Sequence, residues 1–476
     1  MAHLKATLLS KAEEDFIHDK SIECLKEVGI RVDSESVLEM LEKKGASVDY
    51  EKNNAKITKK MVNEALESAP NEVTLCGWDP KNDLPLPAPS YPYSAMNGCA
   101  VFIRDKDTNE YRDTTAEDAA DVAKLCDSLD GINILWPAVT VKDRPAMAQT
   151  LYELWITLTN CSKHFMGDAV HGAHNAQAQV ELASLLVGGK EELKKRPIIS
   201  MIVCPLAPLS FEKGSIESQV AFAKAGVPIV TLSMASGGLS APITVAGMML
   251  TSNAENLASL VITQAAAEGA PHVFGAESAP MNMADGSFNY DAPEFGLIHT
   301  GMAQMARRYN LPSFNGDFGG FSVGSDQRET LFDSFITFCA CSGHTDFVAG
   351  LGSIDNAKGV CFKQLLIDSY TWECCREYLK PIDITDEKLG LDALRDLGPR
   401  GTFLTHPHTL KYLRNELIQW DEKKYELLIM EKEEQIKKAG ELVNKILTEH
   451  QVAHVDEAII QKGYDIIKAY EKKYAQ

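Results

Sequence analysis

Three carboxylates, Asp168, Glu277 and Asp317, stand where short apolar runs of the chain end, and two aromatic residues, Trp136 and Phe318, stand at equivalent points. Carboxylates beside aromatic faces suit a cation, each cation–π contact contributing about 0.5–2 kcal/mol. Asn97 and Asn315 occupy two further run ends and offer hydrogen-bond donors to any anionic part of the same ligand. Ser236, Gly237 and Gly238 follow one run and Gly350 and Gly352 another; such backbone lets a large group approach closely. Two chemistries lack their residues. No lysine falls at a run end, which argues against Schiff-base catalysis. No three His or Asp residues cluster at ligand spacing, which argues against a metal-dependent hydrolase. His406 and His408, in "THPHT", read either as zinc ligands with Cys204 or Cys361, or as a helix cap and brace, and the second reading is preferred. Asp168 and Asp317 also read as helix caps, and Trp136 and Phe318 as core. No catalytic acid, base, nucleophile or metal ligand is assigned.

These candidates share a setting. A helix-like segment ends at Gly or Asn and a short strand follows, at Gly131, Asn160, Gly226, Gly269, Asn310 and Gly343, and before "RPIISMIV" at Pro197. Successive junctions lie about 30–40 residues apart, the length of one strand, one crossover helix and their loops. An eighth strand fits upstream, in "GCAVFIRD" from Gly98 to Asp105. Eight such units predict an α/β fold, a (β/α)8 TIM barrel, with ligands at the C-terminal ends of the strands. A doubly wound sheet would carry a nucleotide fingerprint, and neither GxGxxG nor a P-loop occurs. "TTAEDAADVAKLCDSLDG" predicts a helix capped by Thr115 with Val122, Leu125, Cys126 and Leu129 on one stripe. Residues 1–90 read as a mainly helical extension with a Pro-rich linker, 91–400 as the barrel, and 401–476 as a helical extension that packs on the barrel or makes a subunit contact.

With 476 residues, 45% apolar and 24% charged, the chain has the composition of a globular protein, and its net charge of −20 argues against nucleic acid or an anionic membrane as partner. The uncharged stretch Ala225–Ala254 is long enough to span a bilayer, but Pro228, Gly237, Gly238 and Pro242 interrupt it. A buried strand, turn and helix is the better reading. The opening residues have no signal-like apolar core, and eleven dispersed cysteines fit reduced thiols in a cytoplasmic setting.

Four stretches, in this order, are similar to one family: "LSKAEEDFIHDKSIECLKEVGIRV", "RPIISMIVCPLAPLSF", "SAPITVAGMMLTSNAENLASLVITQ" and "LGPRGTFLTHPHTLKYLRNE". The chain resembles the trimethylamine methyltransferase superfamily, barrel proteins that deliver methyl groups to a corrinoid protein. The trimethylamine enzymes carry pyrrolysine in the barrel, whereas this chain has only standard residues, and its counterpart region is placed around "NGDFGGFSVGSDQRET". The resemblance therefore implies the non-pyrrolysine branch. The expected substrate is a quaternary amine such as glycine betaine, with proline betaine and carnitine as alternatives.

That chemistry agrees with the residue inventory. Removing one methyl from a quaternary nitrogen leaves a neutral tertiary amine, so no general acid is required. The resemblance implies that the nucleophile is the Co(I) of a partner's corrinoid, that this chain binds no cofactor tightly, and that it forms a homo-oligomer. Ser236–Gly238, Gly350 and Gly352 are expected where the corrinoid approaches; Trp136, Asp168, Glu277, Asn315, Asp317, Phe318 and Asn97 are expected at the substrate. The cage should be moderate, because positive charge disappears at the transition state. A lyase on the same barrel, or a betaine-binding protein without turnover, is the alternative class.

Overall fold

In the computed structural model, described for residues 4–98, 100–316, 327–355, 357–417 and 421–474, eight parallel strands close into a barrel. They are β1 (Tyr93–Met96), β2 (Ile134–Leu135), β3 (His164–Asp168), β4 (Ile199–Val203), β5 (Ile229–Ser233), β6 (His272–Ala276), β7 (Ser313–Gly316) and β8 (Phe347–Leu351). Each pairs with the next, and β8 pairs back onto β1. This is the expected (β/α)8 architecture. Asp317 and Phe318, like most of the "NGDFGGFSVGSDQRET" run, lie outside the described residues.

The first strand is not where the sequence placed it. Tyr93–Met96, directly after the proline-rich run, enters the barrel. The run from Gly98 to Asp105 instead contributes Phe102–Arg104 to a small sheet with Tyr111–Arg112, Gly359–Cys361 and Ser353–Ile354 beside the strand ends. Pro92 directly precedes the true strand, so proline marks its start. The junction signals also divide. Gly226, Gly269 and Asn310 take left-handed φ values of +75°, +78° and +54°. At the last junction His344, not Gly343, does so, and Gly131 and Asn160 end their helices without it. The helix Ala116–Ser128 forms as expected, with a Thr115–Asp118 capping box and its apolar stripe buried. The uncharged stretch becomes β5, a turn and the helix Val245–Ala266. Among the described residues no helix is long and apolar enough to cross a membrane.

One end of the barrel is filled. The strands Val73–Leu75 and Leu84–Leu86 form an antiparallel hairpin whose Val73, Leu75, Leu84 and Leu86 join one apolar cluster with barrel residues Ile134, Met166, Val230 and Phe347. Polar ties seat this plug at the N-terminal strand ends. Cys76 N donates to Pro197 O at 3.0 Å, and Ala88 N donates to the Asp346 carboxylate at 2.7 Å. The buried His164 ring bonds Cys76 O through Nδ1 (2.9 Å) and Ser200 Oγ through Nε2 (2.8 Å), and burial pushes its pKa down to about 4. Phe314 and Phe347 stack inside at 4.6 Å.

The extensions brace the wall. The helix Lys11–Glu27 lies on Val245–Ala266, where Asn253 Nδ2 donates to Ser21 Oγ at 2.8 Å. The N-terminal region also holds the strands Ile30–Val32, Ser47–Asp49 and Asn54–Lys56, beyond the mainly helical expectation. Ser210–Phe211, from the loop after β4, extends this sheet as a neighbour of Ile30–Val32. The helix Lys432–Glu449 packs on Phe362–Leu379, and Glu457–Tyr474 on Ala173–Val187.

Lys163, one residue before β3, is buried where a lysine seldom is. Its Nζ donates to Cys126 O (2.7 Å), Leu129 O (2.7 Å) and Ile132 O (2.6 Å). These carbonyls close the C-terminal end of Ala116–Ser128, where the helix dipole favours a cation. Lys163→Met would remove the charged donor shared by three carbonyls, of which Cys126 O and Leu129 O keep backbone donors, Leu129 N at 3.2 Å and Ile132 N at 3.1 Å. It should lower unfolding free energy by about 1–3 kcal/mol, read from urea melts of the two proteins.

Candidate active site at the open end of the barrel

Side chains alternate along a strand, so the residue two beyond an interior position also faces inward. Ala95, Ile134, Met166, Ile202, Leu232 and Phe314 all belong to the interior cluster. Two residues further on come Asn97, Trp136, Asp168, Cys204, Met234 and Gly316, and Glu277 follows interior Val273 by four. These seven residues form the last layer before the open end.

The layer is organised by contact. Trp136 Nε1 donates to both carboxylate oxygens of Asp168, at 3.2 and 3.3 Å, which brings two of the candidate residues into contact. The indole meets Phe314 edge to face at 6.4 Å. Gly98 lies flat against it; a Cβ there would be 2.3 Å from the ring. Glu277 is likewise held by absence of a side chain, because a Cβ on Gly316 would sit 2.1 Å from Glu277 Oε2. Asn97 is buried and donates through Nδ2 to Ala357 O at 3.3 Å.

Burial dominates the electrostatics of three carboxyls in and behind this layer. Burial raises the Glu277 pKa to about 7, partly opposed by a hydrogen bond with Tyr290. Behind Trp136, Glu153 of the helix Gln149–Asn160 is raised to about 8 by burial and then by the charge of Asp168, although Val141 N donates to it at 3.3 Å. Behind β5, Glu255 is raised to about 7 by burial while accepting from Leu209 N (2.8 Å) and Ser233 Oγ (2.5 Å). Among the described residues, no basic side chain acts on these three carboxyls. Cys204 touches solvent in this recess, and its surroundings, followed by the charges of Asp168, Glu277 and Glu255, push its thiol pKa up. It is therefore a neutral thiol and a poor metal ligand.

Several expected roles are corrected. Asn315 follows inward-facing Phe314, so its side chain turns out of the barrel and donates to His299 O at 3.1 Å. Ser236 and Gly237 are buried, and form a strand paired with Ala279–Pro280. A Cβ at Gly237 would lie 2.5 Å from Met248 Sδ, so bulk there disturbs packing first. The turn offers few donors to a ligand: Ser236 N donates to Ser240 Oγ, and Gly238 N to Ala241 O, both at 2.9 Å. Gly352 N donates to Asp368 Oδ2 at 2.8 Å and its backbone abuts Leu365; with Gly350 (φ +124°) it shapes the irregular end of β8. His406 caps the helix Pro407–Tyr412 by accepting from His408 N, and His408 Nε2 bonds Glu387 O at 3.1 Å. The pair is a cap, as preferred, but it braces residues beyond the barrel. Among the described residues no group of three His, Cys, Asp or Glu is placed to hold a metal. Cys204 was read only as a possible zinc ligand, Met234 was legible by the same alternation and was missed, and Glu153, a lone acid in "TLYELWITL", was a second overlooked signal.

The family model described as trimethylamine methyltransferase (MTTB) matches residues 3–474. The chain belongs to the trimethylamine methyltransferase (MTTB) family. It is accordingly an enzyme of the methyltransferase class. A trimethylamine methyltransferase of Desulfitobacterium hafniense is 30% identical over 401 residues, covering 84% of this chain and 80% of the relative. A glycine betaine methyltransferase of the same species is 28% identical over 416 residues, covering 87% and 85%. The crystal structure of the monomethylamine methyltransferase of Methanosarcina barkeri shares the fold, with a TM-score of 0.51 at 11% identity over 94% of this chain and 96% of that one.

Bound cations should report on Glu277. With its pKa near 7, raising the pH from about 6 to about 8 ionises it, so tetramethylammonium should bind up to roughly tenfold tighter by calorimetry. Glu277→Gln should flatten that profile. The folded chain holds the extra proton that the unfolded chain has lost between pH about 4.5 and 7, so the stability contribution of Glu277 falls as pH rises through this window. Glu277→Gln should therefore melt higher than the parent at pH about 8.

Proposed function

We propose that this enzyme removes one methyl group from a quaternary amine of the betaine type and passes it to the Co(I) corrinoid of a partner protein. The supporting observation is the final barrel layer, where Asp168, Glu277 and Trp136 gather and where, among the described residues, no basic side chain acts on Glu277. A permanent cation complements a buried carboxyl beside an aromatic face. Family membership supports the methyl transfer, and the similarity to a glycine betaine methyltransferase supports the substrate class.

The residues act by binding and orientation. Ionised Asp168 and Glu277 neutralise the ammonium, and the Trp136 face packs on its methyl groups. Asp168 is held by the indole N–H, so the charge is fixed before substrate enters. The Co(I) electron pair forms the new Co–C bond while the C–N pair returns to nitrogen, which leaves as a neutral tertiary amine. No proton moves. The protein's contribution is alignment of one N-methyl with the acceptor and exclusion of water.

A protein-borne acceptor suits the rim. Turn tips are normally polar, yet Leu206, Leu239 and Met283 are exposed on the turns after β4, β5 and β6. A Cβ on Gly238 would be 3.0 Å from Ile243 Cδ1 and 3.7 Å from Met283 Sδ, so this apolar surface is continuous across two loops. The turns are firmly built: Leu206 and Ser210 exchange backbone bonds at 2.8 and 3.1 Å, and Glu255 ties Leu209 to Ser233.

Incubation with cob(I)alamin and a panel of betaines tests the reaction. Glycine betaine should yield methylcobalamin and dimethylglycine; a panel with no methylated cobalamin would remove the proposal. Borohydride trapping would point to a lyase, and binding without product to a receptor. Leu239→Asp with Met283→Asp should slow transfer to the cognate corrinoid protein at least tenfold while leaving transfer to free cob(I)alamin within about twofold.

A further inference from the structure

The helix Val245–Ala266 meets the barrel with polar side chains. Ser252, Glu255, Asn256 and Ser259 are fully buried, and their spacing of i, i+3, i+4 and i+7 puts them on one face. A barrel helix ordinarily buries an apolar stripe, as Ala116–Ser128 does with Val122, Leu125 and Cys126. Burying hydroxyls, an amide and a carboxyl costs free energy that apolar side chains would not, unless each finds partners. Once satisfied, such a network fixes a single geometry.

The partners converge on one place. Asn256 Nδ2 donates to Gly275 O at 2.8 Å, and Asn256 Oδ1 accepts from Gly275 N at 3.0 Å, so one amide grips β6 two residues before Glu277. Glu255 accepts from Ser233 Oγ at 2.5 Å, and Ser233 O in turn accepts from Glu277 N at 2.8 Å. Ser252 Oγ meets Ser278 Oγ at 2.7 Å, one residue after Glu277. Ser278 Oγ also accepts from Ala235 N at 2.9 Å and donates to Ser233 O at 3.2 Å, which closes the network across the ends of β5 and β6. One helix face thus brackets Glu277 at positions 275, 277 and 278. The bracket matters because the carboxyl has little latitude. It lies against Gly316, where even a Cβ would come within 2.1 Å of Oε2. A strand end displaced by about 1 Å would press it into that backbone or withdraw it from the recess.

We infer, on the reading that Glu277 faces the ammonium, that Ser252, Glu255 and Asn256 are positioning residues for Glu277. They touch no substrate; they act through the backbone at the ends of β5 and β6.

A double-mutant cycle, with tetramethylammonium binding read by calorimetry at pH about 8, tests this. Asn256→Leu roughly keeps the volume and removes both bonds to Gly275. It should weaken binding about fivefold or more in the parent and less than about twofold in a Glu277→Gln background. Should Asn256→Leu not fold, Ser252→Ala gives the same reading, with a loss of about twofold or more in the parent and no loss in Glu277→Gln. Ser259→Ala is the control. Ser259 lies on the same face but bonds Thr231 (2.7 Å), away from Glu277, so affinity should stay within about twofold. No loss in the parent, an equal loss in both backgrounds, or a Ser259→Ala loss as large as that of Asn256→Leu overturns the inference and leaves the role of Glu277 standing. A wild type that binds no tetramethylammonium overturns that role, and the inference with it.

Discussion

Three buried carboxyls, Glu277, Glu153 and Glu255, are the constraint around which the site is arranged. Left alone, Glu277, Glu153 and Glu255 relieve their burial by holding protons, with pKa values near 7 and 8. Asp168 is steadied by the indole N–H of Trp136. Raising the pH ionises these buried carboxyls at a cost, which a cation bound beside Glu277 would offset. Most of the surrounding architecture keeps that layer both dry and reachable. Gly98 and Gly316 remove side chains where the indole and the Glu277 carboxylate must lie flat.

The scaffold divides the work between the ends of the strands. Apolar residues from hairpin and barrel make a solid floor, with Phe314 and Phe347 stacked within it. The loops above are restrained by pairings outside the barrel. Ser210–Phe211 joins the N-terminal sheet, and Ser236–Gly237 pairs with Ala279–Pro280. Glu255, the first charged residue after the long uncharged stretch, links two of these loops through Leu209 and Ser233. A residue outside the barrel wall thus fixes the shape of its mouth.

The barrel was legible because its signals are local and repeat. Helix stops at Gly226, Gly269 and Asn310 and strand-initiating prolines recur at crossover spacing, whatever the tertiary detail. The first strand was misplaced because "GCAVFIRD" has the β-branched and aromatic content of a strand, and is one, but in a peripheral sheet; composition cannot say which sheet a strand joins. Asn315 was assigned to the ligand by its place near a strand end, without counting alternation from Phe314. The same count would have found Met234. Trp136, Asp168 and Glu277 were picked by their place at strand ends, and the structure sets them in the last inward-facing layer. The hairpin plug was hidden: "VTL" and "LPL" are too short and too interrupted by proline to announce a strand pair, and only the barrel's apolar interior makes them one.

The hairpin floor has a kinetic consequence. A barrel sealed below has a single doorway, so everything that enters must queue. An acceptor seated across that doorway traps whatever lies beneath it. On the proposed reaction the amine would board first, and its demethylated remainder would disembark only after the methylated acceptor had lifted away. Turnover is then governed by the traffic of large bodies at the threshold as much as by the bond that breaks behind it.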